Sequence, residues 1–459
     1  MNGLLAASTA AAAPAGEAAP DLGLALTPLG WLAVAFFVLA YLGVVFEERL
    51  QLAKSKPVML GAALIWGLLA WQVGGPGDPR HVLVRGAFEH MFLEFAELFF
   101  FLVVAMTYVT AMGERRVFEA LRARLTRRRM SYRALFWLTG IIAFFLSPMI
   151  DNLTTALVMS AVVMAVGGGN ARFVTLAFIN LVVAANAGGA WSAFGDITTL
   201  MVWQAHQVEF FEFFRIFLPA LVTWLVPALI MQFALPRGAP PQREDSATIK
   251  EGGKVICATF ALTIIITVAG KQFLGMPPVY GMLTGLALLN LLATRIDRRQ
   301  RRYALAEGVE HEPYSIFRII ANAEWDTLLF FYGVLACVGG LATFGFLRLT
   351  SDAIYGGLGF TAANVIMGLA SAVVDNIPIM YAVLRMAPAM DHGQWLLITL
   401  TAGVGGSLLS VGSAAGVALM GASRGRYTFM GHLRWTWAIG LGYAAGVVTH
   451  LWINAHHFT

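Results

Sequence analysis

The chain runs to 459 residues, of which 58% are hydrophobic and only 12% charged, with a mean hydropathy of +0.72. Soluble globular chains carry about 25% charged residues, so the composition excludes one and points to a polytopic membrane protein. The formal charge of +5 does not point to nucleic acid, because the basic residues sit in short loops between apolar spans, where they set topology.

Residues 1–24, rich in Ala and Pro, read as a flexible extracytoplasmic tail without the basic and apolar regions of an ordinary signal peptide. Span 1 covers about Pro28 to Phe46 and span 2 Pro57 to about Val73. A Gly/Pro-rich loop and a short interfacial segment around His81 to His90 precede span 3, Met91 to Met112. A basic loop follows. Two apolar pieces of about 14 to 16 residues then flank Ser147–Thr155, too short to cross, which predicts a re-entrant hairpin over 134–168 with Asp151 and Asn152 at its tip.

The next apolar segment, 173–203, contains Asn186-Ala-Gly-Gly-Ala-Trp-Ser-Ala-Phe-Gly-Asp-Ile-Thr-Thr199. Three glycines, three hydroxyls, an amide and a carboxylate predict a helix broken within the membrane, tolerated only where it is buried or lines a cavity. Spans at about Phe217 to Leu235, Val255 to Val268 and Val279 to Leu292 follow, then a basic loop from Arg295 to Arg318. Asp326 opens a span ending near Phe346 and reads as a cap or dipole partner at that helix start. A second hairpin over 361–390 carries Ser371-Ala-Val-Val-Asp-Asn-Ile-Pro378; a second broken span over 395–422 carries Gly403 to Gly416; the last span is Trp435 to Ile453. Cys257 and Cys337 read as small core residues.

With the N-terminus outside and both hairpins non-crossing, cytoplasmic loops hold 25 of the 31 basic residues. The other six are Arg80, Arg85, Arg215, Lys271, Arg348 and Arg385. The chain also repeats itself. Ser147, Asp151 and Asn152 match Ser371, Asp375 and Asn376, and Gly188, Gly189 and Gly195 fall on Gly405, Gly406 and Gly412, with Asp196 on Ser413. Halves 25–250 and 251–459 would therefore have opposite orientations, the plan of an all-α, inverted-repeat secondary transporter with its site near the midplane.

Asp151, Asp196 and Asp375 have no Lys or Arg within their motifs. Hard oxygen ligands surround them: Asn152, Thr154, Thr155, Asn186, Ser192, Thr198, Thr199, Asn376, Ser407, Ser410 and Ser413. That set suits a small hard cation better than a transition metal. A carboxylate out of water takes a proton or a metal cation but not both, and such competition suffices for antiport. Asp375 has a second reading, as the cap of a proline-broken helix. Glu97 is a candidate for a proton path, Glu94 reads as interfacial, and His90 as either a pH-sensitive or an interfacial group. Two rivals compete: an anion or oxyanion carrier of the same fold, and a membrane aspartyl protease, which would use Gly-x-Gly-Asp where this chain has Ala193-Phe194-Gly195-Asp196.

DNLTT at 151–155, NAGGAWSAFGDITT at 186–199, VVDNIP at 373–378, GGSLLSVGSAAG at 405–416 and KSKP at 54–57 together resemble the NhaD-type sodium/proton antiporters. These belong to the ion transporter superfamily, which also holds arsenite pumps and carboxylate carriers. The resemblance implies exchange of cytoplasmic Na+ or Li+ for external H+ in the cell inner membrane, in the service of sodium and pH homeostasis. It implies no cofactor and no enzymatic activity. It further implies a homodimer in which a scaffold holds elevator-type transport domains. It places weight on Ser147, Asp151, Asn152, Thr154, Asn186, Asp196, Thr198, Thr199, Ser371, Asp375, Asn376, Ser410 and Ser413, with His90, Glu97 and Asp326 similar to polar positions that matter in the family. Ala193-Phe194 departs from the family pattern without removing a ligand.

Overall fold

In a computed structural model of the chain, the residues described are 21–74, 77–126, 130–167, 169–240, 247–308 and 313–458, side chains at 45, 48 and 49 excepted. Most of the expected N-terminal tail and part of the first basic loop, Arg127 to Arg129, lie outside them. Among the described residues, eight helices are long and apolar enough to cross a membrane by length and composition.

The expected interfacial segment before span 3 does not exist as a separate piece. Pro79–Glu114 is one helix of 36 residues. Asp78 caps its start through Arg80 N, and the Arg80 guanidinium beside it holds the Asp78 carboxyl below the usual range. The run from His81 to His90 contains no Gly or Pro pair that would stop the helix, so it continues. The basic run Arg295 to Arg302 is likewise not a loop, for Pro278–Glu307 carries it as helix until Gly308 closes the end in a left-handed conformation.

The first polar motif sits between two helices, Tyr132–Ile150 and Asn152–Gly167. The first of these has 19 residues, longer than expected, because Ser131 caps it and Tyr132 and Arg133 join its first turn. Length therefore does not fold the pair back on itself; packing does. The Tyr132 ring meets Phe173 at 4.8 Å, and Gly167, at the other end of the pair, abuts the same Phe173. Both ends thus return to one residue of the helix Ala171–Ala190, while the tip reaches Asn186 near its far end.

A second pair, Phe360–Val374 and Asn376–Met386, folds back in the same way: Asn364 near its start and Met390 beyond its end are in contact, beside Gln394 of the helix His392–Gly405. The two sets share their contacts. Gly188 lies against the Phe144 carbonyl and Gly405 against the Gly368 carbonyl. Ser147 Oγ donates to Ala185 O at 2.6 Å, and Ser371 Oγ to Ala402 O at 3.1 Å. An added Cβ on Gly189 would stand 2.5 Å from Gly195 O, and one on Gly406 2.5 Å from Gly412 O. These close backbone approaches are why the motif needs glycine there.

Both tips turn on an aspartate with positive φ, Asp151 at 70° and Asp375 at 75°. The long helices breaking at 191–196 and 406–413 resume as Ile197–Gln204 and Ala414–Ala422, capped by Asp196 and Ser413 in the same extended conformation. Helices Phe217–Met231 and Thr436–Ile453 pack together behind these elements. The remaining long helices, Pro28–Val45, Ser55–Val73, Pro79–Glu114, Gly253–Leu274, Pro278–Glu307 and Trp325–Phe344, pack mainly on one another. An amphipathic helix absent from the sequence expectation, Phe346–Leu358, follows the last of them.

Candidate ion site between the two helix-pair tips

Asp196 is 4% exposed and receives both tip asparagines. Asn152 Nδ2 lies 3.0 Å and Asn376 Nδ2 2.8 Å from the same oxygen, Oδ2, while Thr198 N donates to Oδ1 at 3.3 Å. Thr199 closes the capping box: its Oγ1 donates to Asp196 O at 2.8 Å and accepts from Asp196 N. Asn186 ties the centre to the second broken helix. Its Nδ2 donates to Ser407 Oγ at 2.9 Å and Ser413 Oγ at 3.0 Å, and its Oδ1 accepts from Asn152 at 3.1 Å. One network thus joins both pairs and both breaks.

Asp151 holds Thr154 through the backbone N–H and the hydroxyl, each at 2.8 Å. It lines a cavity of about 360 Å³ together with Asn152, Thr154, Asp196 and Asn376. The far wall carries Glu324 and Thr327, at the end of the molecule that also bears Lys54 and Asp326. Asp375 does not line this cavity; it caps its own helix at Asn376 N, 2.7 Å away, and it interacts electrostatically with both Lys54 and Asp196. The contact that its second reading asks for, the cap, is present. Thr155, Thr198 and Ser410 are fully buried hydroxyls without a hydrogen-bond partner among the described residues. Ser192 donates to Pro148 O at 3.0 Å, tying the first break to the first pair.

Several expected auxiliary residues lie elsewhere. Ser147 and Ser371 bind backbone carbonyls, as described above. Asp326 does not cap its own helix; it accepts from Ser55 N and Ser55 Oγ, capping Ser55–Val73 across 271 residues of sequence. The motif KSKP is held by that contact. His90 stands 3.4 Å from Arg385 and 3.5 Å from Glu94. Glu97 lines a separate pocket of about 60 Å³ with Glu94, Tyr381 and Arg385.

Glu94, read from the sequence as interfacial, has two partners across the fold. It accepts from Tyr381 OH at 3.0 Å and Arg385 Nη1 at 3.3 Å, joining Pro79–Glu114 to the second pair. Lys271, 7% exposed, donates to Trp203 O and stands 4.6 Å from that ring, so it caps the short helix Ile197–Gln204 from outside. Sequence reasoning assigned no role to Arg385, Tyr381 or Lys271. The available signal was the basic-residue count: Lys271 and Arg385 are two of the six that fall outside the expected cytoplasmic loops.

A family model described as "Citrate transporter" matches residues 41–403. Na(+)/H(+) antiporter NhaD of Vibrio cholerae is 50% identical, over 98% of this chain and 96% of its own. Its namesake in Alkalimonas amylolytica is 50% identical over 97% and 94%. The chain belongs to the NhaD antiporter family. More distantly, Sodium/proton antiporter 1 of Arabidopsis thaliana is 30% identical over 92% of this chain and 72% of its own. Of the five motifs that carry the resemblance, all but KSKP at 54–57 build the Asp196 network and the two tips.

Proposed function

We propose that this chain is a secondary antiporter exchanging Na+, or Li+, for H+ across the cell inner membrane, with the two cations competing at Asp196 and Asp151. The observation that carries this reading is the convergence of Asn152 and Asn376 on one oxygen of Asp196, beside a cavity that Asp151 also lines. Membership of the NhaD family supports it. A carboxylate held by neutral amides and hydroxyls offers a cation one full charge and several hard oxygens after modest rotation of the amides. Protonated, the same group keeps its place without a cation. The unpartnered hydroxyls of Thr155, Thr198 and Ser410 supply further oxygens in the vicinity.

The rest of the reading is the inverted-repeat arrangement. Residues 25–250 and 251–459 form two halves of opposite orientation, each with a re-entrant hairpin and a broken helix, and the N-terminus is extracytoplasmic. In this arrangement the large cavity faces the cytoplasm, while Glu94, Tyr381 and Arg385 close the opposite side. The hairpins and broken helices move as an elevator-type unit against the other helices, in a homodimer. An anion carrier of the same fold would want hydroxyls, amides and half-helix N-termini facing its substrate, without a carboxylate among them; here the centre carries a carboxylate, and the near full-length relatives are named as Na+/H+ antiporters.

The experiment is a proton gradient preformed in everted vesicles. Addition of Na+ or Li+ dissipates it in the wild type, and Asp196→Asn and Asp151→Asn abolish the response. Wild-type exchange in both variants, or carboxylate uptake without sodium-driven proton flux, defeats the reading.

A further inference from the structure

One fully buried titratable residue has no place in that scheme. His432, on the short helix Phe429–Leu433, is 0% exposed, and its ring bridges two groups. Nε2 lies 2.9 Å from the Ser407 carbonyl oxygen and Nδ1 2.6 Å from Tyr427 OH. A carbonyl only accepts, so Nε2 carries a proton; in the neutral ring Nδ1 is then the acceptor and the tyrosine hydroxyl donates to it. Tyr427, 1% exposed, is held in turn by Ser423, whose Oγ donates to Tyr427 O at 3.1 Å.

The position of the accepted carbonyl matters. The helix His392–Gly405 ends two residues before Ser407, and carbonyls just past a helix end lose their intrahelical donors. In a broken membrane helix such carbonyls are ready ligands for a cation. Here two successive ones are already taken, Ser407 O by His432 and Leu408 O by Thr436 Oγ1 at 2.8 Å. What the turn presents to the network instead is the Ser407 hydroxyl, which accepts from Asn186 Nδ2 at 2.9 Å. Asn186 in turn receives Asn152, and Asn152 holds Asp196. By the constant offset of the repeat, Ser407 falls on Ala190, which has no hydroxyl. The first half has no equivalent group to aim.

We infer that His432 is a positioning residue for cation binding: through the Ser407 carbonyl it fixes the turn of the second broken helix so that Ser407 Oγ meets Asn186. This rests on the antiport reading above. Without the ring, a buried carbonyl is left unpaired, the peptide is free to turn, and Asn186 loses one of its two acceptors. Tyr427 and Ser423 act behind His432 by fixing its tautomer and place.

The test titrates Na+ against His432→Ala and His432→Gln, the latter placing an amide N–H where Nε2 stands. Each is read by Na+-driven proton flux and, on purified protein, by the Na+ concentration that half-saturates a thermal shift. His432→Ala is expected to raise both half-saturation values roughly three- to ten-fold, the equivalent of one lost hydrogen bond, and His432→Gln to restore most of the loss. In a Ser407→Ala background His432→Ala adds nothing further. Unchanged half-saturation in His432→Ala with only less folded protein, or an undiminished effect in the Ser407→Ala background, overturns the inference. Absence of wild-type flux with a normal Na+-dependent thermal shift removes the antiport reading instead, and the binding arm still decides the role of His432.

Discussion

Asn376 and Asp196, 180 residues apart in sequence, are joined by a 2.8 Å hydrogen bond from Nδ2 to Oδ2. Asn152 donates to the same oxygen at 3.0 Å, so one oxygen of one carboxylate receives both tips. Removing either amide leaves the other in place. Asn376→Ala and Asn152→Ala are therefore expected each to raise the half-saturating Na+ concentration by roughly ten- to hundred-fold, the scale of one hydrogen bond to a charged group. Because they share an acceptor, the double variant should depart from additivity. Sodium titrations in everted vesicles decide this.

The three aspartates should not behave alike. Asp196 and Asp151 line the cavity and Asp375 does not, so Asp196→Asn and Asp151→Asn are expected to abolish exchange. Asp375→Asn, which retains a side-chain acceptor for the Asn376 N–H, should retain measurable flux. Where proton and sodium compete for one carboxylate, the half-saturating Na+ concentration should also climb as pH falls, by up to about tenfold per pH unit once the group is mostly protonated. Titrations at successive pH values check the slope. A flat profile would mean that the two ions do not share a site.

Close backbone packing gives a stability prediction. A Cβ at Gly405 would collide with the Gly368 carbonyl and one at Gly189 would stand 2.5 Å from Gly195 O, whereas one at Gly356 would meet nothing within 4 Å. Gly405→Ala and Gly189→Ala should destabilise the protein by about 1–3 kcal/mol, the usual scale of overpacking. Gly356→Ala should be neutral or slightly stabilising. Thermal unfolding in detergent separates them.

Arg385 and Glu94 stand 3.3 Å apart where Pro79–Glu114 meets the second helix pair. Arg385→Gln should loosen that contact and widen the small pocket behind it. With Cys257 and Cys337 replaced, a cysteine introduced at Gln204, which lines the pocket, should react faster with a membrane-impermeant thiol reagent in the Arg385→Gln background. Equal rates would show that the contact closes nothing.

Asp326 caps Ser55–Val73 rather than contributing to the network at Asp196. Asp326→Ala should cost about 1 kcal/mol of stability, the typical worth of an N-terminal cap, while leaving the half-saturating Na+ concentration unchanged. Thermal unfolding and vesicle titration, run on the same preparation, test both halves of that statement.

The helix breaks were legible in the sequence because glycine, asparagine and aspartate in an apolar run have few other uses, and the spacing of Gly188, Gly189 and Gly195 survives unaltered at Gly405, Gly406 and Gly412. Partners across the fold were not. Nothing near Asp326 in sequence points to Ser55, and nothing near Glu94 points to Arg385. His432 lies 25 residues from the carbonyl it holds, and a histidine between Arg426 and Arg434 carries no local pattern that marks it as buried. Helix ends failed where charge was read as loop: Arg295 to Arg302 are good helix formers, and hydropathy does not distinguish a solvated helical turn from a coil.

The aspartates at the two tips sit at φ 70° and 75° with extended ψ, a region that glycine tolerates and other residues occupy at a cost of about 1–3 kcal/mol each. Glycine at Asp151 would relax the backbone and delete the carboxylate in one step. Selection for heat tolerance alone should then enrich Asp151→Gly, and the survivors should be sturdy carriers that carry nothing. Durability and transport pull against each other at that bend, so any programme to harden this protein has to leave it alone.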